Sequence, residues 1–167
     1  MPENTPTLKT ERLILRKFSE ADLPALFDLL CDAEVNTFLP WFPMRSLKET
    51  EAFFRERYLS VYTRPRGYQY AVCLKKDDIP IGYIHAAMGE SHDFGYALAK
   101  SHWHQGITTE AGHALIGHSA MTGFLISQLH MTKAIPAAVW SCSVLACGMN
   151  IPTKSCGSPK ISVYFSV

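Results

Sequence analysis

The chain has 167 residues, of which 47% are hydrophobic and 19% charged, and its formal net charge is +1. This composition suffices for one globular domain with a buried core, and the near-neutral charge gives no reason to expect a nucleic-acid partner. No stretch approaches the roughly 18 uninterrupted apolar residues of a membrane span, and the polar residues 1–9 lack the apolar core of a secretion signal. Five cysteines without regular spacing are typical of reduced thiols, so we expect a cytoplasmic protein.

The first third of the chain predicts one strand followed by two helices. Apolar and polar residues alternate over 8–18, as they do in a half-buried strand. Ser19 begins a helix cap, and apolar residues at helical spacing then predict an amphipathic helix that ends near Asp32. The segment Ser46–Glu49 has the pattern of a capping box and predicts a second helix to about Tyr62.

Between these helices, residues 36–45 carry four large apolar side chains around two prolines. Proline disfavours both a helix interior and a central strand, so the pattern predicts an irregular apolar segment. Aromatic side chains of this kind usually pack in the core, although such a segment can also border a ligand site.

From Gly67 onward the hydrophobic period changes to two. Strands are predicted over 68–74, 81–88 and 92–99, with turns at Lys76–Asp78 and near Gly89. Three strands joined by short turns predict an antiparallel meander.

The segment that follows the third strand, 103–111, reads Trp-His-Gln-Gly-Ile-Thr-Thr-Glu-Ala and leads into a predicted helix over 108–122. The first turn of a helix has backbone N–H groups without internal partners and carries the positive end of the helix dipole. A phosphate group can bind there, and Gly106 would allow it to approach the backbone closely. A single glycine turn also occurs in strand-to-helix connections that bind nothing.

Five segments share their order and spacing with one known family. They are Thr10–Arg16, Phe38–Trp41, Ile81–Ile84, Phe94–Leu98 and the glycine loop. Over roughly residues 8–123 the chain resembles the GNAT acetyltransferases, in particular the RimJ/RimL-like branch that acetylates protein N-termini and small amines. The resemblance implies an α/β (α+β) fold, with a mixed, mostly antiparallel sheet flanked by helices and a core domain over 1–123.

The resemblance also implies acetyl-CoA as co-substrate, no metal, and an amine acceptor that is either a peptide N-terminus or a small molecule. The coenzyme's diphosphate would sit on the glycine loop, and the preceding strand would bind its pantetheine arm. The implied cofactor-binding residues are Ala97, Leu98, His104, Gln105, Gly106, Ile107, Thr108 and Thr109. Thr108 departs from the family's small residue, and its hydroxyl could cap the helix or bind a phosphate oxygen.

Asp93 occupies the strand position where this branch often carries an acid, so it is the candidate to accept the amine's proton. Glu90 and His92 are weaker substitutes for the same role. An aspartate that merely faces solvent has the same appearance in the sequence, because a working base needs both reach and a suitable pKa.

Four histidines between His102 and His118 raise the question of a metal site. His113 and His118 are five residues apart and therefore do not share one helical face, and no acid or cysteine completes a tetrahedral ligand set. Surface or packing roles are the better interpretation.

Residues 124–167 differ from the rest of the chain. They contain three lysines and no acid, for a net charge of +3, whereas residues 1–123 hold 13 basic and 15 acidic side chains, for a net of −2. They also lack helix caps and sustained periodicity, and the Asn-x-x-Ser and Leu-Gly-Met segments that the family resemblance leads one to expect there.

Those expected segments appear when the tail is read one nucleotide out of frame. With permissible codons, the shifted frame contains Asn-Pro-Arg-Ser and Leu-Gly-Met in the expected order. Two steps involve no choice of codon, because Met131 followed by Thr132 gives Asp and Met149 followed by Asn150 gives Glu. The hypothesis is a single-nucleotide slip near the codon for Phe124, and a divergent natural tail is the alternative.

The sequence thus leaves three hypotheses: an N-acetyltransferase, impaired if its C-terminal part is altered, a non-catalytic protein that keeps the fold for binding, or a self-associating product. In the last case, the uncovered edge of the strand that ends at Ala99 would pair with another chain and produce a homo-oligomer.

Overall fold

The computed structural model of the chain describes residues 4–37, 42–86 and 94–122. These residues form one five-stranded sheet in which every pair of neighbours is antiparallel and the spatial order follows the chain order. The strands are β1 (Leu8–Lys9), β2 (Leu13–Arg16), β3 (Tyr68–Leu74), β4 (Pro80–Ala86) and β5 (Phe94–Leu98). The predicted antiparallel meander and α/β class are confirmed.

The caps predicted at Ser19 and Ser46 precede the first two helices, with a 3₁₀ turn (Glu20–Asp22) between Ser19 and the first α-helix. The helices are α1 (Leu23–Cys31), α2 (Leu47–Phe54), α3 (Ser60–Tyr62) and α4 (Ile107–Met121), with a π-helical turn (Arg55–Leu59) joining α2 to α3. At α2 the Ser46 hydroxyl accepts from the amide of Glu49 at 3.2 Å, whereas the Glu49 carboxylate accepts from Arg45 rather than from Ser46. The predicted second helix therefore spans its full length, but only half of its capping box has the expected partner.

The prediction of one strand over 8–18 is wrong, because the chain turns back on itself between β1 and β2. The Thr10 hydroxyl accepts from the amide of Leu13 at 3.0 Å, and the Thr10 amide donates to the Leu13 carbonyl at 3.1 Å. These bonds close a tight turn that alternating hydrophobicity cannot reveal. Leu13 and Leu15 are nevertheless fully buried on one face, as the alternation predicts.

Helices cover both faces of the sheet, because side chains alternate along each strand. On one face α4 packs Ile107, Ala111 and Leu115 against residues such as Ile84. On the other face α1, α2 and the π-helical turn pack against residues such as Tyr83. The sheet is therefore a central layer with helices packed on both of its faces.

Several predictions fall outside the described residues. These are the candidate base Asp93 with its substitutes Glu90 and His92, the apolar residues 38–41, and the whole tail over 124–167. Within the described ranges, no helix is long and apolar enough to span a lipid bilayer.

Candidate functional site

The glycine loop positions the start of α4 as the sequence suggests. Gly106 has φ = +72°, a conformation that side chains with a Cβ rarely adopt, and its carbonyl accepts the first helical bond, from Glu110 N at 3.0 Å. The amides of Ile107 and Thr108 follow directly, where helix geometry provides no carbonyl within the helix. The loop thus presents backbone donors and the positive end of the helix dipole at one point.

Arg12, near the N-terminus of the chain, forms hydrogen bonds with this loop and with the first turn of α4. Its Nη1 donates to the carbonyl of Gln105 at 3.0 Å, and its Nε donates to Glu110 Oε2 at 2.6 Å. Glu110 Oε1 also accepts from the Arg12 amide at 2.8 Å and from the Thr10 hydroxyl at 2.5 Å. The β1–β2 turn and the first turn of α4 are therefore fastened together through one carboxylate.

These contacts keep Glu110 ionised. Partial burial raises the pKa of its carboxyl, but the hydrogen bonds from Thr10 and from Arg12 outweigh burial and leave the pKa below its usual value. A carboxylate near the start of a helix is also favoured by the helix dipole.

Arg12 is a candidate functional residue that the sequence analysis did not single out. Its guanidinium lies beside the glycine turn, with Nη2 only 3.7 Å from the point where a Cβ on Gly106 would be. Its side chain is 45% exposed, so it is accessible to a ligand in part. The sequence feature that could have identified Arg12 is its position in the segment Thr10–Arg16, which was used only as evidence of the family resemblance.

The other predicted loop residues gather around the same point. Gln105 is exposed and its side-chain amide donates to the carbonyl of Ser101 at 3.0 Å, while Thr108 and Thr109 lie half-buried in the first turn. His104 is exposed and has φ = +58°, so it lies on the rim of the loop.

Ala97 and Leu98, the predicted binding residues on β5, face opposite ways. Ala99 N donates to Ile81 O on β4 at 2.8 Å, so the polar groups of Ala97, two residues earlier, also face β4. Those of Leu98 face the outer edge of β5, where its carbonyl accepts from Trp103 Nε1 at 2.7 Å. Within the described ranges no strand pairs with this edge. Of Ala97 and Leu98, only Leu98 therefore has backbone groups that face an extended ligand at this edge.

The opposite end of β5 lies beside a cavity of about 670 Å³. Tyr68 on β3 pairs with Ala86 on β4, and Ala86 pairs with Phe94 at the start of β5. Tyr68 and Ala86 line the cavity together with the charged residues Glu56, Arg57, Arg64 and Arg66. The two ends of β5 thus carry two different sites, a backbone donor site and an arginine-lined cavity.

His85 is a second residue that the sequence analysis missed. It lies on β4 directly opposite Gly95, and a Cβ on Gly95 would be 2.5 Å from the imidazole Cε1. The ring of Tyr83 stacks beside it at a centroid distance of 6.1 Å. The half-buried imidazole therefore lies against the backbone of β5, which only glycine permits. The pairing of His85 with Gly95 depends on strand register, which the sequence alone did not fix.

His118 and His102 contact side chains other than histidine. His118 packs edge-on against Tyr68, and His102 Nδ1 contacts the hydroxyl of Ser101 at 2.9 Å. In the part of the chain that the structure describes, no group of three or more His, Cys, Asp or Glu side chains is arranged to hold a metal ion.

Comparisons with known proteins agree with this geometry. A family model described as an acetyltransferase (GNAT) domain matches residues 12–138. A Bacillus subtilis (strain 168) protein named as the uncharacterized N-acetyltransferase YoaA is 27% identical over 109 residues, which are 63% of this chain and 61% of that relative. The aligned part thus spans less than two thirds of the relative's length.

Two solved structures share the fold. An acetyltransferase from Agrobacterium tumefaciens str. C58 superposes with a TM-score of 0.64 at 22% identity, covering 96% of this chain and 93% of that one. RimL, a ribosomal L7/L12 alpha-N-protein acetyltransferase in complex with coenzyme A, superposes with a TM-score of 0.62 at 23% identity, covering 72% and 71%.

Proposed function

We propose, from the premise that this chain belongs to the acetyltransferase (GNAT) domain family, that it transfers an acetyl group from acetyl-CoA to a primary amine. The acceptor is a peptide N-terminus or a small amine, and the amine attacks the thioester directly. The observation that carries the proposal is the start of α4, where Gly106 and the amides of Ile107 and Thr108 form a donor site beside Arg12. RimL, a structural neighbour, is described in complex with coenzyme A.

The residues at this end fit a coenzyme diphosphate. The missing Cβ of Gly106 lets an anion reach the backbone, and the Arg12 guanidinium adds a positive charge beside it. Gln105, Thr108 and Thr109 surround the same point, and Leu98 offers backbone groups to the pantetheine arm along β5. The bound co-substrate supplies the activated acyl group, so the protein's task is to align the amine with the thioester and to remove a proton.

Two groups are proposed to receive the proton of the attacking amine. Asp93, which directly precedes Phe94 in the sequence, keeps the role that the family resemblance gives it. His85 is the alternative within the described residues, because its imidazole lies against β5 near the same end of the strand. Imidazole changes charge near neutral pH and is the commonest general base in proteins.

Thiol release from acetyl-CoA, followed with a panel of peptide and small amines, tests the proposal, and calorimetry measures coenzyme binding separately. Turnover with any amine supports acetyl transfer. Coenzyme binding without turnover would instead favour the non-catalytic binding protein, and the absence of both would refute the proposal.

The tail hypothesis belongs to the same proposal. We expect that a variant whose residues after Phe124 follow the shifted reading frame has higher activity than the unaltered chain, because the variant regains the family's expected C-terminal segments. Equal activity of the two chains would contradict an impairment by the tail, and an intact, unshifted reading frame with this same tail in close relatives would defeat the frame slip. Sedimentation at several concentrations then tests self-association, and cell fractionation tests the cytoplasmic location.

A further inference from the structure

We propose that the cavity beside the start of β5 binds a carboxylate of the acceptor, so that this chain prefers primary amines with a negative charge close to the amino group. The inference rests on the proposed acetyl transfer, because it assigns the acceptor's side of the same site. The shared chemistry is a carboxylate-bearing amine, either an acidic peptide N-terminus or a free amino acid.

The charge of the cavity wall supports this assignment. Three arginines and one glutamate line it, which gives a formal charge of +2. Arg64 and Arg66 are exposed, and neither forms an ion pair with any residue of the described ranges. The guanidinium group matches a carboxylate through two parallel hydrogen bonds.

Other arginines of the chain are used differently. Arg12 pairs with Glu110, Arg16 pairs with Asp22 and Asp78, and Arg55 pairs with Glu51. In the cavity wall, by contrast, the guanidinium groups of Arg64 and Arg66 have no ion pair with a carboxylate of residues 4–37, 42–86 or 94–122.

The backbone that carries these arginines is fixed. The buried Asn4 side chain donates to the carbonyls of Val61 and Arg64, each at 2.8 Å. Thr5, also buried, donates its amide to the Gly67 carbonyl at 2.9 Å. Residues 61–67 are thus held by the N-terminal segment instead of by the arginine side chains.

Gly67 shows how closely this segment is fitted. A Cβ at this position would lie 2.9 Å from both polar atoms of the Asn4 side chain and 2.9 Å from a methyl group of Val61. Because the backbone is already held by these contacts, binding a ligand requires no further ordering of the backbone of residues 61–67, which lowers the entropic cost of binding. A fixed backbone with exposed guanidinium ends is well suited to recognise a small anion.

The position of the cavity agrees with an acceptor role. Leu98 lies beside the loop proposed to bind diphosphate, and Phe94, four residues earlier, lies at the cavity end of the same strand. Four residues of a strand span about 13 Å. A pantetheine arm that follows the edge of β5 from Leu98 would carry its thioester toward the cavity.

The occupant we infer has one negative charge near an amine. Glu56 lies in the same wall, where it would repel a strongly charged polyanion and attract the ammonium group of an arriving acceptor. An amine with a neighbouring carboxylate complements both signs of charge.

Equilibrium binding tests the inference without depending on turnover. Fluorescence anisotropy is measured with peptides that have a free N-terminus and a C-terminal label and differ only at their second residue, which is Asp, Asn or Lys. We expect the Asp peptide to bind more tightly than the Asn peptide by up to about 5-fold, as an exposed ion pair allows. Competition by glycine, compared with glycinamide, shows whether an α-carboxylate is also accepted.

The variants identify the site. The double change Arg64→Gln/Arg66→Gln should bring the Asp and Asn peptides to within about 2-fold of each other. Arg55→Gln is the matched control, because Arg55 is also an exposed arginine but lies in the π-helical turn and does not line the cavity. It should keep the full preference. If the double variant fails to fold, as judged by circular dichroism, the single change Arg66→Gln replaces it.

The inference is overturned if the unaltered chain binds the Asp and Asn peptides equally or binds neither. It is also overturned if the preference survives loss of the arginines or disappears equally in the Arg55 control. Thiol release is measured on the same samples. Turnover without a charge preference would contradict only the proposed carboxylate site. A charge preference without turnover on any amine would contradict the proposed acetyl transfer.

Discussion

The two ends of β5 use arginine in opposite ways. At the α4 end, Arg12 is joined to Glu110 and to the carbonyl of Gln105, so its charge also serves to fix the loop. At the cavity end, Arg64 and Arg66 have no carboxylate partner in the described ranges, and main-chain contacts to Asn4 and Thr5 fix the loop instead. One site is therefore ordered by its own charged side chains, whereas the arginines of the other site stay available to a ligand.

A large effect is expected at the α4 end, from Gly106→Val. A β-branched residue at φ = +72° is strained and places a side chain where an anion would approach. Coenzyme A affinity should fall by about 10- to 100-fold, measured by calorimetry. Gly117→Ala is the control on the same helix, because a Cβ there meets nothing within 4 Å. It should leave affinity unchanged and raise stability by about 0.5–1 kcal/mol. If the valine variant binds coenzyme A as tightly as the unaltered chain, Gly106 does not belong to the coenzyme site.

A second effect concerns His85 and the glycine opposite it. His85→Gln should lower kcat by about 100-fold if the imidazole accepts the amine's proton, and it should abolish the acidic limb of the pH–rate profile. Gly95→Ala should produce a similar loss, because the added methyl group displaces the imidazole ring.

Asp93→Asn is the comparison for that pair of variants. If Asp93→Asn alone removes the acidic limb while His85→Gln retains it, Asp93 is the base and His85 only packs against β5.

The third prediction concerns the carboxylate of Glu110, which links α4 to the β1–β2 turn. Glu110→Gln should lower the free energy of unfolding at pH 7 by about 1–2 kcal/mol, because charged hydrogen bonds from Thr10 and Arg12 are weakened. Since the folded pKa of Glu110 is lowered, its contribution is present above the unfolded pKa of about 4.3 and is lost as pH falls through the folded value.

Urea unfolding at pH 7, 5 and 3 measures this linkage. The unaltered chain should lose its advantage over the Glu110 variant as pH decreases below 5. Glu51→Gln, which removes an exposed ion pair with Arg55, should show little change at any pH. A constant difference between the chain and the Glu110 variant across pH would show that Glu110 acts through shape and not through charge.

The smallest effect is that of salt on the cavity end. Exposed charges are screened within about 10 Å at 0.1 M ionic strength, so raising NaCl from 0.05 to 0.5 M should weaken binding of an acidic acceptor about 2- to 3-fold. A neutral acceptor, measured by the same anisotropy assay, should be insensitive to salt. Equal salt dependence for both acceptors would show that Arg64 and Arg66 do not contact the ligand.

Local pattern predicted most of the described fold. Period-two hydrophobicity identified β3, β4 and β5, and the caps located α1 and α2, because those signals depend on residues only a few positions apart. The break between β1 and β2 was missed, because it is made by hydrogen bonds of Thr10 that leave the apolar alternation unchanged.

The candidate site was only half predictable for a related reason. The glycine loop is contiguous in sequence, and its residues do gather at the start of α4. Arg12 and Glu110 are 98 residues apart, and His85 meets Gly95 only through the register of two strands. Such partners become visible only when the chain is folded. Asp93 and the tail over 124–167 remain predictions.

The hydroxyl of Tyr68 on β3 lies 2.6 Å from that of Thr122, at the end of α4. This contact ties the far end of the helix to the middle strand of the sheet, immediately before the tail over 124–167 begins. Helix α4, which carries the proposed coenzyme site, is therefore held at both ends by hydrogen bonds among residues before position 123. A protein shortened after Thr122 should accordingly retain a docked α4, so that loss of the coenzyme upon such shortening would point to missing ligand contacts and not to a misplaced helix.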